Sequence, residues 1–129
     1  METRAINPWK WQDQRNYVQA VEVKAVNGTL YCSGQTAIDA DGKSSDADMA
    51  TQLTQAIANL EHLITEADYD CKNIVRLNVY HTDINAFFDG FHILQDWVVK
   101  HGIRQATTVI EVKSLFETLK VELEATVVK

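Results

Sequence analysis

Glu122 and Glu124 stand two residues apart in Val121-Glu122-Leu123-Glu124-Ala125, and Glu111 comes from the preceding run Ile110-Glu111-Val112. A spacing of two on a strand puts the pair on one face, and paired carboxylates perform acid–base work when burial separates their pKa values. The same spacing also describes an ordinary solvated strand face. Tyr17, Ser33 and Gln35 add neutral hydrogen-bonding groups. Of the four histidines, His62 and His92 fall in helical patterns, His81 at a strand end and His101 at a helix end. They read as surface polar residues and, for His101, as a partner of the helix dipole. Cys32 and Cys71 lack the CxxC or Cys/His spacing of a redox or zinc site. With no positive charge nearby to lower its pKa, Cys32 reads as a small buried hydrophobe. No metal site is expected, and the chain contains no P-loop, GxGxxG, GxSxG or HExxH run.

The elements that must position these groups follow from periodicity. Residues 1–16 show neither period and are expected to lie as an arm over the surface. Val21, Val23 and Ala25 alternate with Glu22 and Lys24 as in a half-buried strand, Asn27-Gly28 suits a type I′ hairpin turn, and Thr29 to Cys32 returns from it. After a polar loop, Ser45-x-x-Asp48 resembles a capping box. Met49, Leu53, Ala56, Ile57, Leu60, Leu63, Ile64 and Ala67 then mark one helical face. Ile74 to Thr82 is a strand, and Asp83 or Asn85 caps a second helix carried by Phe87, Phe91, Leu94, Trp97 and Val98 and stopped at Gly102. Two strands finish the chain, the last alternating strictly from Leu119 to Val127.

The order ββαβαββ gives an α+β fold, a two-layer sandwich with two helices on one face of a mixed sheet. The 129 residues form one domain, 1–129, which is expected to expose about 7,000 Å² when folded. The uncovered sheet face mixes Val18, Ala20, Tyr80 and Val109 with Arg76, Asn78, Glu122 and Glu124, a composition suited to a wet interface and hence to a homo-oligomer. The net charge of −6, with 12 Lys+Arg against 18 Asp+Glu and no basic run, argues against nucleic-acid or anionic-membrane partners. No apolar segment reaches the ~20 residues of a membrane span, and two free thiols without a secretory leader imply the cytoplasm.

Several separated motifs carry a family resemblance. They are Tyr17-Val18-Gln19, Cys32-Ser33-Gly34-Gln35, the helix Gln52 to Ala67, the run from Asn78 to Phe87, Val109-Ile110-Glu111-Val112 and Val121-Glu122-Leu123-Glu124-Ala125. In this order and spacing the chain resembles the RidA/YjgF family of enamine and imine deaminases, the endoribonuclease L-PSP family, from Tyr17 to Val128. The resemblance implies a chorismate-mutase-like fold, a homotrimer with ligand clefts between neighbouring subunits, and hydrolysis of small imines such as 2-iminopropanoate without metal or cofactor. By position, Glu122 matches the cleft glutamate that orients water, Ser33 the serine near the ligand, and Tyr17 the tyrosine lining the pocket from the hairpin. Gln35, Phe91, Thr107 and Thr108 stand at further ligand-facing positions.

The departures fall on that ligand side. The family's arginine lies in an Ala-Arg-Ser/Thr run, and the matching stretch is Ala106-Thr107-Thr108, so Thr107 stands where a guanidinium would fork onto a substrate carboxylate. Gln105 replaces the proline before it, Arg15-Asn16 the glycine-proline before the tyrosine, Phe91 or a neighbour the asparagine of the second helix, and Phe116 the proline after Leu115. A hydroxyl in place of a guanidinium loses on the order of 2–4 kcal/mol for a carboxylate partner, roughly 30- to 1,000-fold in affinity or rate. Arg104 or Arg15 would have to supply the compensating cation, and strand alternation places position 104 opposite position 107. The sequence therefore points to a trimer that uses Glu122 on a small enamine or imine without the usual α-carboxylate contact. The alternatives are a non-catalytic ligand-binding or regulatory trimer, and a ribonuclease, against which the acidic charge speaks.

Overall fold

Met49, Leu53, Ala56, Ile57, Leu60 and Ile64 recur three and four apart and are all buried, so Met49–Glu66 packs as helix α1 with one apolar face inward. Its N-cap is Asp48, whose Oδ1 accepts from the Thr51 amide at 2.8 Å. Ser45 lies upstream, its hydroxyl accepting from the Ala47 amide in the turn that leads into the helix. The computed structural model describes residues 1–129. Its strands are β1 (Glu2–Ile6), β2 (Ala20–Lys24), β3 (Thr29–Tyr31), β4 (Ile74–His81), β5 (Ala106–Glu111) and β6 (Val121–Val128). Helices α2 (Ile84–Asp89) and α3 (Phe91–His101) complete the set, with 3-10 turns at Trp11–Arg15 and Cys71–Asn73.

The main sheet has the order β3-β6-β4-β5, with β4 and β5 parallel and the other pairs antiparallel. Along β4 the odd residues Leu77, Val79 and His81 are buried, as are Val121, Leu123 and Ala125 of β6, which pair with them. These residues and the buried face of α1 form one core together with Leu94, Trp97 and Val98 of α3. The architecture is α+β, with the helices on one side of a mixed sheet.

Four local expectations change. The expected second helix is two helices, because Gly90 ends α2 and starts α3 with a φ of −101°. Gly90 sits beside Ala50 of α1, where an added Cβ would lie 3.7 Å from the Ala50 Cα. The N-terminal residues are not only a surface arm, since β1 pairs antiparallel with β2 from Glu2↔Lys24 to Ile6↔Ala20 in a separate ribbon. The Asn27-Gly28 amides both bond to the Lys129 carbonyl instead of closing a two-residue hairpin, so β2 and β3 belong to different sheets. Finally, Val109 pairs with Val79 on the helix side of the sheet, Ala20 belongs to the ribbon, and Val18 is buried.

The sheet face opposite the helices carries Arg76, Asn78 and Tyr80 of β4 together with Glu122 and Glu124 of β6, by strand alternation from the buried set. Two apolar side chains stand exposed on it, Tyr31 at 79% and Ile110 at 45%. The chain exposes 7515 Å², slightly more than the figure expected from its size.

Candidate functional site

Tyr17 follows a 3-10 turn that Asn16 terminates in the left-handed conformation, at φ 58° and ψ 48°. Asparagine tolerates that geometry where most residues are strained. Three bonds fix the segment. Gln95 Nε2 of α3 donates to the Gln14 carbonyl and to Asn16 Oδ1, both at 3.0 Å, and Gln105 Nε2 donates to the Asn16 carbonyl at 3.0 Å. Tyr17 is thereby held over the edge of β5 beside α3. Its ring meets Trp11 edge-on at 6.4 Å, and the Arg15 guanidinium lies 5.9 Å from the Trp11 ring centre.

A cleft of about 250 Å³ opens at this place. Tyr17, Phe91 and Thr107, three of the candidate residues, line it, and Arg15 is the only charged residue in its wall. Phe88, Leu94, Val98 and Val109 supply apolar surface, while Asn16, Gln95 and Gln105 supply the polar part. Thr107 donates its hydroxyl proton to the Leu77 carbonyl. Its oxygen can therefore only accept from a ligand. Arg104 precedes β5 and lines neighbouring cavities, one of them shared with Tyr17, but not the cleft of Thr107.

Glu122 and Glu124 do share a face, and their environments push them in opposite directions. Glu124 Oε1 accepts from Asn78 Nδ2 at 3.0 Å and from the Tyr80 hydroxyl at 2.9 Å, which holds its pKa below the usual carboxylate value. Glu122 makes no such bond, and burial, reinforced by the charge of Glu124, raises its pKa. One member is thus a fixed anion and the other a group suited to carry a proton. Gly34 packs directly on Glu122: a Cβ there would fall 2.5 Å from the Glu122 Cδ. The strand-like bonds between Gln35 and Leu123, at 2.7 and 2.9 Å, hold that glycine in place. Ser33 is exposed next to it, and Gln35 Nε2 donates to the Ser33 carbonyl at 3.2 Å.

The expected site residues therefore form two groups. Thr107 pairs with Leu77 and faces the helices, whereas Glu122 pairs with Tyr80 and faces the open side. Thr108 pairs with Asn78 and goes with the second group. Within one chain the cleft and the carboxylate lie on opposite faces of the sheet.

Asn78, Tyr80 and Gln95 were not identifiable as site residues from their types or spacing. His81, expected at the surface, is fully buried, stacked on Phe87 with ring centres 5.0 Å apart, and neither ring nitrogen has a hydrogen-bond partner. It sits at the end of β4 facing the core, so strand alternation rather than polarity decides its place. Phe87 in turn packs on Phe88 and Phe91 of the cleft.

Comparison with known proteins agrees with this architecture. The family model described as Endoribonuclease L-PSP matches residues 10–129. A RutC family protein of Aquifex aeolicus is 33% identical over 88% of each chain. The 2-iminobutanoate/2-iminopropanoate deaminase of Mus musculus is 30% identical over 88% of this chain and 81% of its own. Among solved structures, a Rid family protein of unknown function, YyfB from Yersinia pestis, superposes with a TM-score of 0.87 at 28% identity over the whole of both chains.

Proposed function

The chain belongs to the RidA/YjgF family, the endoribonuclease L-PSP family, and on that premise we propose that it is a homotrimer that hydrolyses a small enamine or imine lacking an α-carboxylate. The observation that carries this reading is the wall of the cleft. Its one cation, Arg15, rests on Trp11, and the Thr107 oxygen presents only lone pairs. A carboxylate also presents only lone pairs, so the two repel where a guanidinium would have bound. A neutral ligand bearing an N–H suits this cleft better.

Assembly supplies the other half. With Glu122 on the open face, a second copy must bring its Glu122 and Ser33 to the mouth of the first copy's cleft. The exposed Tyr31 and Ile110 give that face apolar surface to bury. In the reaction, Glu122 takes a proton from water as the water oxygen bonds to the imine carbon. That proton passes to the nitrogen to give the neutral carbinolamine; Glu122 then takes the proton of the adduct's hydroxyl and delivers it to the same nitrogen, so that the C–N bond breaks, ammonia leaves and the carbonyl forms. The elevated pKa of Glu122 suits these transfers. No metal or cofactor takes part in this scheme, and an acidic surface makes RNA a poor substrate.

The test compares 2-iminopropanoate, generated in situ, with an imine of a neutral carbonyl compound. Wild type is expected to accelerate hydrolysis of the second and barely that of the first; Glu122→Gln should lose the activity, and Thr107→Arg should gain activity on 2-iminopropanoate. Fast turnover of 2-iminopropanoate by wild type, abolished in Arg15→Ala or Arg104→Ala, would overturn the substrate class. If no imine is turned over while a small ligand still binds the cleft, the protein is a binding or regulatory trimer instead. A single-chain mass in light scattering removes the shared site.

A further inference from the structure

Sequence spacing gives no reason to expect a metal, yet three elements bring unlike ligand types to one point. Glu61 comes from α1, Cys71 from the 3-10 turn that leads into β4, and His101 from the last turn of α3. A carboxylate oxygen, the sulfur and a ring nitrogen of these residues all lie within 4.8 Å of one another. None of the three lines the cleft of Thr107.

We infer that Glu61, Cys71 and His101 form a binding site for a divalent transition metal of the zinc class. His101 Nε2 lies 3.0 Å from Glu61 Oε1 but is not aligned for a hydrogen bond to it, and that nitrogen is shielded from solvent without another partner. Two ligands of one ion stand in this relation, because each aims its lone pair at the metal and not at the other. The donor set, one sulfur, one nitrogen and one oxygen, selects zinc or its neighbours over magnesium or calcium. Charge also balances: a carboxylate and a thiolate neutralise a dipositive ion, and imidazole binds neutral. Binding replaces the Cys71 thiol proton: the S–H bond breaks, the S–metal bond forms and the proton leaves to water. The ion enters from the Glu61 and His101 side, where the side chains are 39% and 21% exposed while Cys71 is buried behind them. Three protein ligands leave a fourth position for water. Bound there, the metal clasps α1 to the end of α3 and to the turn before β4.

The whole metal-free protein titrated with Co²⁺ provides the test, because a cobalt–thiolate bond gives a charge-transfer absorption that nitrogen and oxygen ligands do not. Expected are one cobalt per chain with that band, loss of colour on adding Zn²⁺, and no competition by Mg²⁺. The band should vanish in Cys71→Ser, and affinity should fall at least tenfold in His101→Ala and in Glu61→Gln. Zn²⁺ at a hundredfold excess over its Kd should raise the melting temperature by roughly 10 °C. The inference fails if saturating cobalt gives no thiolate band. It fails equally if the band survives in Cys71→Ser, or if His101→Ala and Glu61→Gln bind as wild type does, which would mark a lone reactive thiol. Should Cys71→Ser not fold by circular dichroism, the other two variants, changed at partly exposed positions, decide the matter.

Discussion

Gln105 donates through Nε2 to the Asn16 carbonyl at 3.0 Å, and its own carbonyl accepts from the Val18 amide at 3.1 Å, so one residue clips both neighbours of Tyr17. Both Asn16 and Gln105 occupy positions where the resemblance leads one to expect proline. A proline at position 16 could not hold the left-handed φ of 58° found there, so the segment depends on hydrogen bonds instead. Gln105→Ala removes the side-chain bond and leaves the Asn16 carbonyl without this donor, a cost of about 1–2 kcal/mol. A lower urea midpoint with unchanged slope checks the stability effect, and weaker ligand binding in the cleft checks the loosened Tyr17.

Glu122→Gln should separate function from stability. Because the folded pKa of Glu122 lies above the ordinary carboxylate value, the folded protein holds this proton more tightly than the unfolded chain does. Its contribution is present at low pH and is lost as pH rises through the folded pKa. Glutamine removes that loss. At pH 7.5 the variant is expected to be at least as stable as wild type by urea denaturation while imine hydrolysis disappears; a lower midpoint at pH 7.5 contradicts the assignment.

Gly34→Ala probes the same carboxylate without touching it. The new Cβ collides with the Glu122 Cδ, and a glutamate side chain yields more readily than backbone. The expected result is a large fall in turnover, tenfold or more, with a stability change below about 1 kcal/mol. Equal turnover in the variant would show that the position of Glu122 is immaterial.

Tyr80→Phe acts on the opposite member of the pair. Glu124 is held low chiefly by Asn78 and Tyr80, so its stabilisation is present above the unfolded carboxylate pKa and fades as pH falls through the folded one. Losing the hydroxyl should raise the Glu124 pKa in a carboxyl-carbon NMR titration and flatten the acid limb of the stability curve. The loss at pH 7 is expected at about 1 kcal/mol, the net worth of one part-buried hydrogen bond.

His81 gives a pH dependence of its own. Burial depresses its pKa, and Glu111 and Asp83 offset only part of that. The unfolded chain therefore takes up this proton first, near pH 6.5, and stability falls as pH drops below that value. His81→Leu, which replaces two unpartnered nitrogens by apolar surface, is expected to leave stability at pH 8 unchanged or about 1 kcal/mol higher. It should also shrink the decline between pH 6.5 and 5, and an unchanged decline locates it in another group.

Where one element decides its own burial, the sequence sufficed. The Met49–Glu66 helix, the alternation of β4 and β6, the Asp83 cap and the left-handed Gly102 were all legible, because each follows from period or from one side chain bonding its own backbone. What failed depends on distant chain. Asn27-Gly28 carries a hairpin signal, but the Lys129 carbonyl captures its amides. The break at Gly90 divides one continuous apolar pattern, so the period alone did not reveal two helices. At the site, Glu122 and Tyr17 stand out already by residue type and spacing and Phe91 and Thr107 only by the family resemblance, whereas their division between two sheet faces depends on strand register.

Strand β6 lies between β3 and β4, so one of the two central strands of the sheet is the last in sequence. Neither neighbour can gain its main-chain bonds there until a long loop has closed, and such closure slows folding more than it weakens the folded state. Folding is expected to wait on β6, with α1 and the β1–β2 ribbon organised earlier from nearer contacts. Substitutions at Leu123 or Ala125 should then slow refolding, while changes around Gln105 and Asn16, made late, should show mainly as faster unfolding.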